Sequence, residues 1–247
     1  MLWNTQWRAL LASALIALGT PAAHALQTFA DEDRSAELAG QVAHQRYQFN
    51  TPTTVTYDAD TLAQGSAGTR VYVADMGSHR IRVLDLDGRA IGMLDDADTV
   101  RATDSPAATV PTIRAPLGIA FLSRSEADDD RLAGLYVNDV GLHQIHFYRT
   151  VDTDPDAFRY VTSFGTKGSG GGNQLQLPRN VVVTPQGYMI VADEFNHRVK
   201  VFRLDPDNAY QATLVQTLGW QDGSGHYVGA GPIIRGIDKN YGTPSAN

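Results

Sequence analysis

The sequence predicts an all-β fold in which a four-stranded sheet is repeated along the chain, as in a β-propeller. Three fifteen-residue strings align without gaps: VYVADMGSHRIRVLD (71–85), LYVNDVGLHQIHFYR (135–149) and MIVADEFNHRVKVFR (189–203). Their apolar residues alternate or form short runs between turn residues, which is typical of strands. A four-stranded unit that recurs every 40 to 65 residues or so is typical of propeller blades, because one sheet must stack on neighbours to bury its faces.

Residues 1–25 are predicted to be a signal peptide rather than part of the fold. One positive side chain, Arg8, precedes an uncharged apolar stretch, and Ala23-His24-Ala25 has the small-x-small pattern of a cleavage site. The apolar stretch is about ten residues long, whereas a membrane-spanning helix takes about 20. An uncleaved membrane anchor is the alternative. We expect a secreted or periplasmic mature chain with no membrane span.

Each repeated unit is expected to begin at a proline and to contain four strands. The prolines are Pro52, Pro116 and Pro178, and the same spacing puts the start of a fourth unit at Pro232. Strand one follows the proline, strands two and three are the halves of the aligned strings, and strand four is predicted at 90–94, 159–164 and 212–220. The predicted divisions after the signal peptide are an amino-terminal segment, the blades and a carboxyl-terminal tail, at 26–48, 49–236 and 237–247.

The composition of the chain excludes several classes of function. There is no cysteine, so a disulfide scaffold, a cysteine nucleophile and a thiolate metal site are ruled out. The formal net charge of −7 argues against a protein that binds nucleic acid, because such proteins carry basic faces. The sequence gives no reason to expect a cofactor.

The repeated aspartates and histidines are interpreted as structural residues. They are Asp75, Asp139, Asp193, His79, His143 and His197. An active site needs one asymmetric constellation, whereas this pair recurs at the same place in every unit. An aspartate at the end of a strand can accept hydrogen bonds from turn amides, and the histidine can bond into the neighbouring turn. A general base or a metal ligand is the alternative, above all for His143, whose neighbours depart most from the repeat.

A glycine-rich segment and several acidic pairs are interpreted as connections and turns that bind no ligand. The glycine-rich segment 165–173 precedes a strand, whereas a phosphate-binding loop must open a helix, so it is predicted to connect two units. The acidic pairs Asp85/Asp87 and Asp205/Asp207, among others, are predicted to be solvated turns. A structural calcium ion is the alternative for these turns.

The strings FGTKGSGGGNQLQLP and LPRNVVVTPQGYMIVADEFNHRVKVFR resemble the NHL repeat. That pattern runs from a proline and a strand to a Val-Ala-Asp run, Asn-His-Arg and an apolar strand; Ser78 and Leu142 replace its asparagine in the other two copies. The resemblance covers about 49–236 and implies a β-propeller, most often with six blades in the family. With three full units visible, we expect a propeller that is incomplete relative to that ring. Three explanations stay open: the sequence is a fragment, residues 33–48 and the C-terminal segment add degenerate strands, or chains associate to complete a ring.

The function is predicted less sharply than the fold, because one fold hosts many functions. The leading hypothesis is a binding scaffold for a protein, peptide or glycan, with self-association through open blade edges as a further expectation. Ligand contacts are predicted at the mouth of the central channel, by Arg114, Arg179, Asn180 and His143. The loops 58–70 and 123–134 are predicted to form a partner-binding rim.

An extracytoplasmic lyase or hydrolase is the alternative function. The segment DVGLHQI is similar to a stretch of the peptidyl-hydroxyglycine amidating lyases, which are NHL-type propellers. That resemblance implies zinc-binding histidines directly after the strand-one prolines. The positions hold other residues, so no metal site is predicted; they are Thr53, Leu117, Arg179 and, in the partial unit, Ile233.

Overall fold

The structure is a computed structural model that describes residues 49–95, 100–107 and 109–219. Three large sheets dominate this part of the chain, and each contains four consecutive antiparallel strands. The predicted signal peptide, the amino-terminal segment 26–48, the unit at Pro232 and the tail 237–247 lie outside the described residues.

The first blade contains strands β1 to β4 in sequence order. They are β1 (Pro52–Tyr57), β2 (Val71–Asp75), β3 (Arg80–Leu84) and β4 (Ala90–Leu94). The fourth strand covers the predicted range 90–94. The turn between β2 and β3 is a single 3₁₀ turn, Met76–Ser78, which ends at His79 in the left-handed conformation.

The second blade has the predicted four strands and one additional edge strand. They are β5 (Val100–Arg101), β6 (Pro116–Leu122), β7 (Gly134–Asp139), β8 (Gln144–Val151) and β9 (Asp154–Phe164). The short β5 pairs in parallel with β9, because the connection from the first blade runs along the outer edge of the second. This strand was not predicted from the sequence, because two residues are too few to show a periodic pattern.

The third blade follows the glycine-rich segment. Two short strands pair in parallel there, β10 (Thr166–Lys167) within the segment and β11 (Gln174–Leu175) directly after it. The blade itself contains β12 (Pro178–Val183), β13 (Tyr188–Asp193), β14 (Arg198–Asp205) and β15 (Gln211–Leu218). The segment therefore connects two blades, as predicted.

Helical structure in the described part of the chain is confined to 3₁₀ helices of three to six residues. Besides Met76–Ser78, they are Ala59–Gln64, Asp130–Leu132, Glu194–Asn196 and Pro206–Asn208. Among these residues, no helix has the length and apolar character needed to cross a membrane.

The blades stack through two chemically different faces. Cross-strand partners lie on one face of a sheet, so Val73 and Arg82 share a face with Asp75, and Tyr72 and Val83 share the other. We call the first the Asp face and the second the apolar face of a blade. The equivalent Asp-face residues of the second blade, Leu135, Val137 and Tyr148, pack on the apolar face of the first.

The second and third blades pack in the same way. Met189, Val191 and Phe202, on the Asp face of the third blade, form one core with Tyr136 and Phe147 of the second. This repeated packing of four-stranded antiparallel sheets is that of neighbouring β-propeller blades. The described residues therefore form three blades of a propeller, as the sequence predicts.

Candidate functional site

The three repeated aspartates tie down the chain that leads into their own blade. Each carboxylate accepts a hydrogen bond from the backbone N–H of the residue two positions before the strand-one proline. Asn50 donates to Asp75 at 2.6 Å, Arg114 to Asp139 at 2.7 Å and Gln176 to Asp193 at 2.6 Å. All three aspartates are fully buried. Buried carboxylates need such partners, because an unpaired charge away from water is costly.

Asp139 also accepts hydrogen bonds from Ala115, next to the first donor, and from the turn that follows the aspartate. Its Oδ1 receives the N–H groups of Ala115, Gly141 and Leu142 at 2.9–3.2 Å. Burial raises the pKa of Asp139, but the contact with His146 and the backbone N–H donors outweigh it, so its pKa lies below the usual value. These contacts therefore hold Asp139 as an anion.

The repeated histidines connect one blade to the next. The Nδ1 of His79 is hydrogen-bonded to the carbonyl oxygen of Arg114, and the Nδ1 of His143 accepts the N–H of Leu177 at 2.9 Å. Both partners lie directly before the first strand of the following blade. Burial and the nearby Lys167 lower the pKa of His143, which favours the neutral ring that this acceptor role requires.

The predicted ligand contacts lie at the end of the blades where the histidine turns are found. The Nη1 of Arg179 forms an ion pair with Glu194 at 2.9 Å, and the Oδ1 of Asn180 accepts the N–H of Val181 at 2.9 Å. Arg114 is exposed, and His143 is engaged with the next blade. The ligand role of these four residues stays a prediction.

A second repeated position, which the sequence analysis missed, holds a buried basic residue. Seven residues after each repeated aspartate stand Arg82, His146 and Lys200, all on the Asp face. The Nε of Arg82 lies 3.4 Å from Asp75, and the Nε2 of His146 lies 3.6 Å from Asp139. The signal was a basic residue seven positions after each repeated aspartate, within the third strand of each blade.

Lys200 and Arg198 hold the glycine-rich segment through its carbonyl groups. The Nζ of Lys200 donates to the carbonyl oxygens of Gly172 and Gln174 at 2.8 Å, and the guanidinium of Arg198 donates to those of Ser169 and Gly170. A phosphate-binding loop directs N–H groups at an anion, whereas this segment directs carbonyls at cations. Burial, with the charge of Arg198, lowers the pKa of Lys200 to about 8.

One row of side chains in the second blade has the composition of a nucleophilic triad. The Nδ1 of His146 lies 2.7 Å from the Oγ of Ser163, and its Nε2 faces Asp139. Both His146 and Asp139 are fully buried, and the hydroxyl of Tyr160 also contacts the Oγ of Ser163 at 2.6 Å. Ser163 itself is only partly buried, whereas packed side chains enclose His146 and Asp139.

The opposite end of the blades carries the long loops, and these contact one another in sequence order. The N–H of Ala59 donates to the Oγ of Ser123 at 2.8 Å, and the N–H of Asp128 donates to the carbonyl oxygen of Pro185 at 3.0 Å. Loops of all three blades thus form a continuous rim. The rim was predicted from the loop lengths; its contacts were not.

A groove of 610 Å³ lies in this rim between the second and third blades. We call it the interblade groove; its floor includes the buried side chains of Leu132 and Leu204, and its walls include Asp128, Asp129, Pro185, Gln186, Arg203, Asp205, Pro206 and Asp207. Arg131 bridges the two blades through ion pairs of 2.7 Å with Asp129 and Asp207. Four carboxylates facing a partly apolar groove favour a ligand that is both cationic and apolar.

The acidic turns and the positions of the lyase histidines are the places where a metal ion was considered from the sequence. Among the described residues, no group of three His, Asp or Glu side chains is placed to hold a metal ion. Of the predicted acidic turns, Asp85 accepts the N–H of Arg89 at 2.8 Å and Asp205 accepts that of Asp207 at 3.1 Å. In the positions of the lyase histidines, the hydroxyl of Thr53 donates to the carbonyl oxygen of Leu117.

Comparison with known proteins assigns the chain to no family. No family model and no curated protein matches it. Solved structures that are similar in part include a functionally unknown protein from Desulfotomaculum acetoxidans (15% identity, 71% of this chain, 45% of that one, TM-score 0.40) and the periplasmic gluconolactonase of Pseudomonas aeruginosa (18% identity, 68% of this chain, 40% of that one, TM-score 0.43). The matched region spans less than half of each of these proteins. Similarity at this level transfers no activity to the chain.

Proposed function

We propose that the protein is an NHL-type propeller that acts as a binding scaffold, and that the interblade groove receives a basic segment of a protein or peptide partner. The groove itself supports this proposal, because it joins an apolar floor to carboxylates that belong to two blades. Arg131 fixes the two walls relative to each other, so the groove is largely formed before a ligand enters. The signal-peptide pattern supports a secreted or periplasmic location.

The charges of the groove predict what the partner carries. Arg131 neutralises part of the charge of Asp129 and Asp207 and holds the pKa of Asp129 below its usual value. Asp128 and Asp205 add two further carboxylates to the lining. A lysine or arginine side chain that lies along Leu132 and Leu204 can bury its aliphatic stem and bring its charge to these carboxylates.

The test is a binding measurement with peptides of matched length. A fluorescent peptide of alternating Lys and Leu should bind, and its Glu–Leu counterpart should not. We expect the double variant Asp128→Asn/Asp205→Asn to weaken binding by about tenfold, and added salt to weaken it further in the wild type. The matched control is Asp154→Asn, an exposed change at the same end of the second blade but outside the groove. Equal affinity of the double variant and the wild type would refute the groove as the site.

A hydrolase is the second candidate, and the row Ser163, His146 and Asp139 is the observation that favours it. The hydroxyl of Tyr160 argues against it, since that group contacts the Oγ of the partly exposed Ser163 at 2.6 Å and a substrate would have to displace it. Turnover of a p-nitrophenyl ester that is lost in Ser163→Ala, with the fold retained, would support the hydrolase. Turnover that is unchanged in this variant excludes Ser163 as the nucleophile.

A further inference from the structure

The first blade exposes an Asp face that the other two blades bury. Val55, Ile119 and Val181 occupy one repeat position; the exposed fraction is 63% for Val55 but 4% and 2% for the other two. Likewise Val73 is partly exposed, whereas Val137 and Val191 are fully buried. The sequence thus keeps aliphatic residues at positions where the described residues offer no covering blade.

The third blade exposes an apolar face that the other two blades bury. Ile190, Val199 and Val201 are partly exposed, and Val182 on the same face is 52% exposed. The residues equivalent to Ile190, Val199 and Val201 are fully buried in the first two blades; they are Tyr72, Ile81 and Val83 in the first and Tyr136, Ile145 and Phe147 in the second. A contiguous apolar face of this kind marks a contact site.

The two open faces are complementary halves of one interface. Within the chain, an Asp face packs on the apolar face of the preceding blade, and this happens twice. We propose that a second copy of this chain supplies the missing halves: the apolar face of its third blade covers the Asp face of the first blade, and the reverse contact forms at the other end. Two such head-to-tail contacts related by a two-fold axis close a ring of six blades, within the usual range for propellers.

His197 is placed to make the contact that joins successive blades. It has the left-handed conformation of His79 and His143, with φ of 52°. Its backbone N–H donates to the carbonyl oxygen of Glu194, but its imidazole makes no hydrogen bond to any residue that the structure describes. Its two counterparts bond the backbone one or two residues before the next strand-one proline. In the two-copy ring, His197 of one copy therefore bonds the backbone of Asn50 or Thr51 of the other.

The test is the oligomeric state of the purified protein by size-exclusion chromatography with light scattering. We expect a dimer, and we expect Val182→Asp to give monomers, because a charge there is solvated in the monomer but half-buried against the apolar face of the ring, as its equivalents Thr56 and Ala120 are in the covered blades. The matched control is Gln186→Asp, which adds the same charge to an exposed loop of the same blade and should leave the dimer intact.

The histidine contact is tested with His197→Gly, which keeps the left-handed backbone without strain. By sedimentation equilibrium, this variant should raise the dimer dissociation constant by about tenfold. A protein that stays monomeric up to about 100 µM would overturn the proposal, with residues 26–48 and 220–247 left as the candidates to cover the two faces. If the protein forms open-ended polymers and Val182→Asp converts them to monomers, the closed two-copy ring is wrong but the head-to-tail contact is retained. A dimer that Val182→Asp leaves unchanged would show that another surface joins the copies.

Discussion

At the scale of single residues, the repeat combines a buried acid with a buried base. Asp193 accepts a backbone N–H with one oxygen and the Nε of Arg198 at 2.7 Å with the other. Lys200, two residues further, turns instead to the carbonyls of the glycine-rich segment. Removing one member of a buried ion pair destabilises the fold, because the other charge stays buried without that partner. The charged residues of the Asp face therefore organise the connections between blades.

Lys200 predicts a specific pH dependence of stability. Its folded-state pKa of about 8 lies below the ordinary 10.5, so between these values the unfolded state binds more protons than the folded state. The contribution of Lys200 to stability therefore rises as the pH increases from about 8 to about 10.5. Urea unfolding of the wild type and of Lys200→Met is measured at about pH 7.5, 9 and 10. The wild type should exceed the variant in free energy of unfolding by a margin that grows with pH. Parallel curves would contradict the assignment.

At the scale of elements, the inner strands of neighbouring blades approach closely. A Cβ atom added to Gly118 in β6 would lie 2.7 Å from the carbonyl oxygen of Arg179 and the Cα of Asn180 in β12. The hydroxyls of Thr53 and Thr54 in β1 reach the carbonyl oxygen of Leu117 on the other side. Backbone atoms cannot move aside as a flexible side chain can. The spacing of β6 and β12 therefore depends on the missing side chain of Gly118.

We expect Gly118→Ala to destabilise the protein by about 1–3 kcal/mol, because the added methyl group forces β6 and β12 apart. The matched control is Gly171→Ala in the glycine-rich segment, where an added Cβ meets no atom within 4 Å. The control should be neutral or slightly stabilising, since alanine restricts the unfolded chain. Chemical unfolding of both variants measures the difference, and equal stability of the two would refute the close approach.

At the scale of the whole molecule, burial depends on the place of a blade in the stack. Identical valines stand at one repeat position, Val73, Val137 and Val191, but the structure buries only the latter two completely. Their local sequences are alike, so the difference arises from the neighbouring blade alone. The stability of each blade thus includes the interface with the blade before it.

The three valines allow one chemical change to be compared at three places. We expect Val137→Ala and Val191→Ala each to cost about 2 kcal/mol, because each opens a cavity between blades, and Val73→Ala to cost less than about 1 kcal/mol. The changes are made in the Val182→Asp background, in which the two proposed copies are separate. Thermal and urea unfolding give the three values; an equal cost at Val73 would mean that its face is already covered within the monomer.

Strands two and three of every blade were predictable from sequence, and so was strand four of the first. Their alternating apolar residues and turn residues are local signals, visible within windows of about ten residues. The aspartates were predictable as strand-end acceptors, but not their main donors, which stand 17 to 25 residues away. The strand β5 was not predicted, because two residues are too few to show the alternation of apolar and polar residues that marks a strand.

The sequence by itself determined the blade, because the period of two, the proline at the start of strand one and the Asp–His turn are encoded within each repeat. Only the tertiary structure decided the interblade groove, whose lining comes from loops about 75 residues apart that share no repeat pattern. It likewise decided that Arg82, His146 and Lys200 are buried and that Arg179 pairs with Glu194. The physical reason is the same in each case: strand formation depends on neighbours along the chain, whereas burial and ion pairing depend on which blade is stacked beside it.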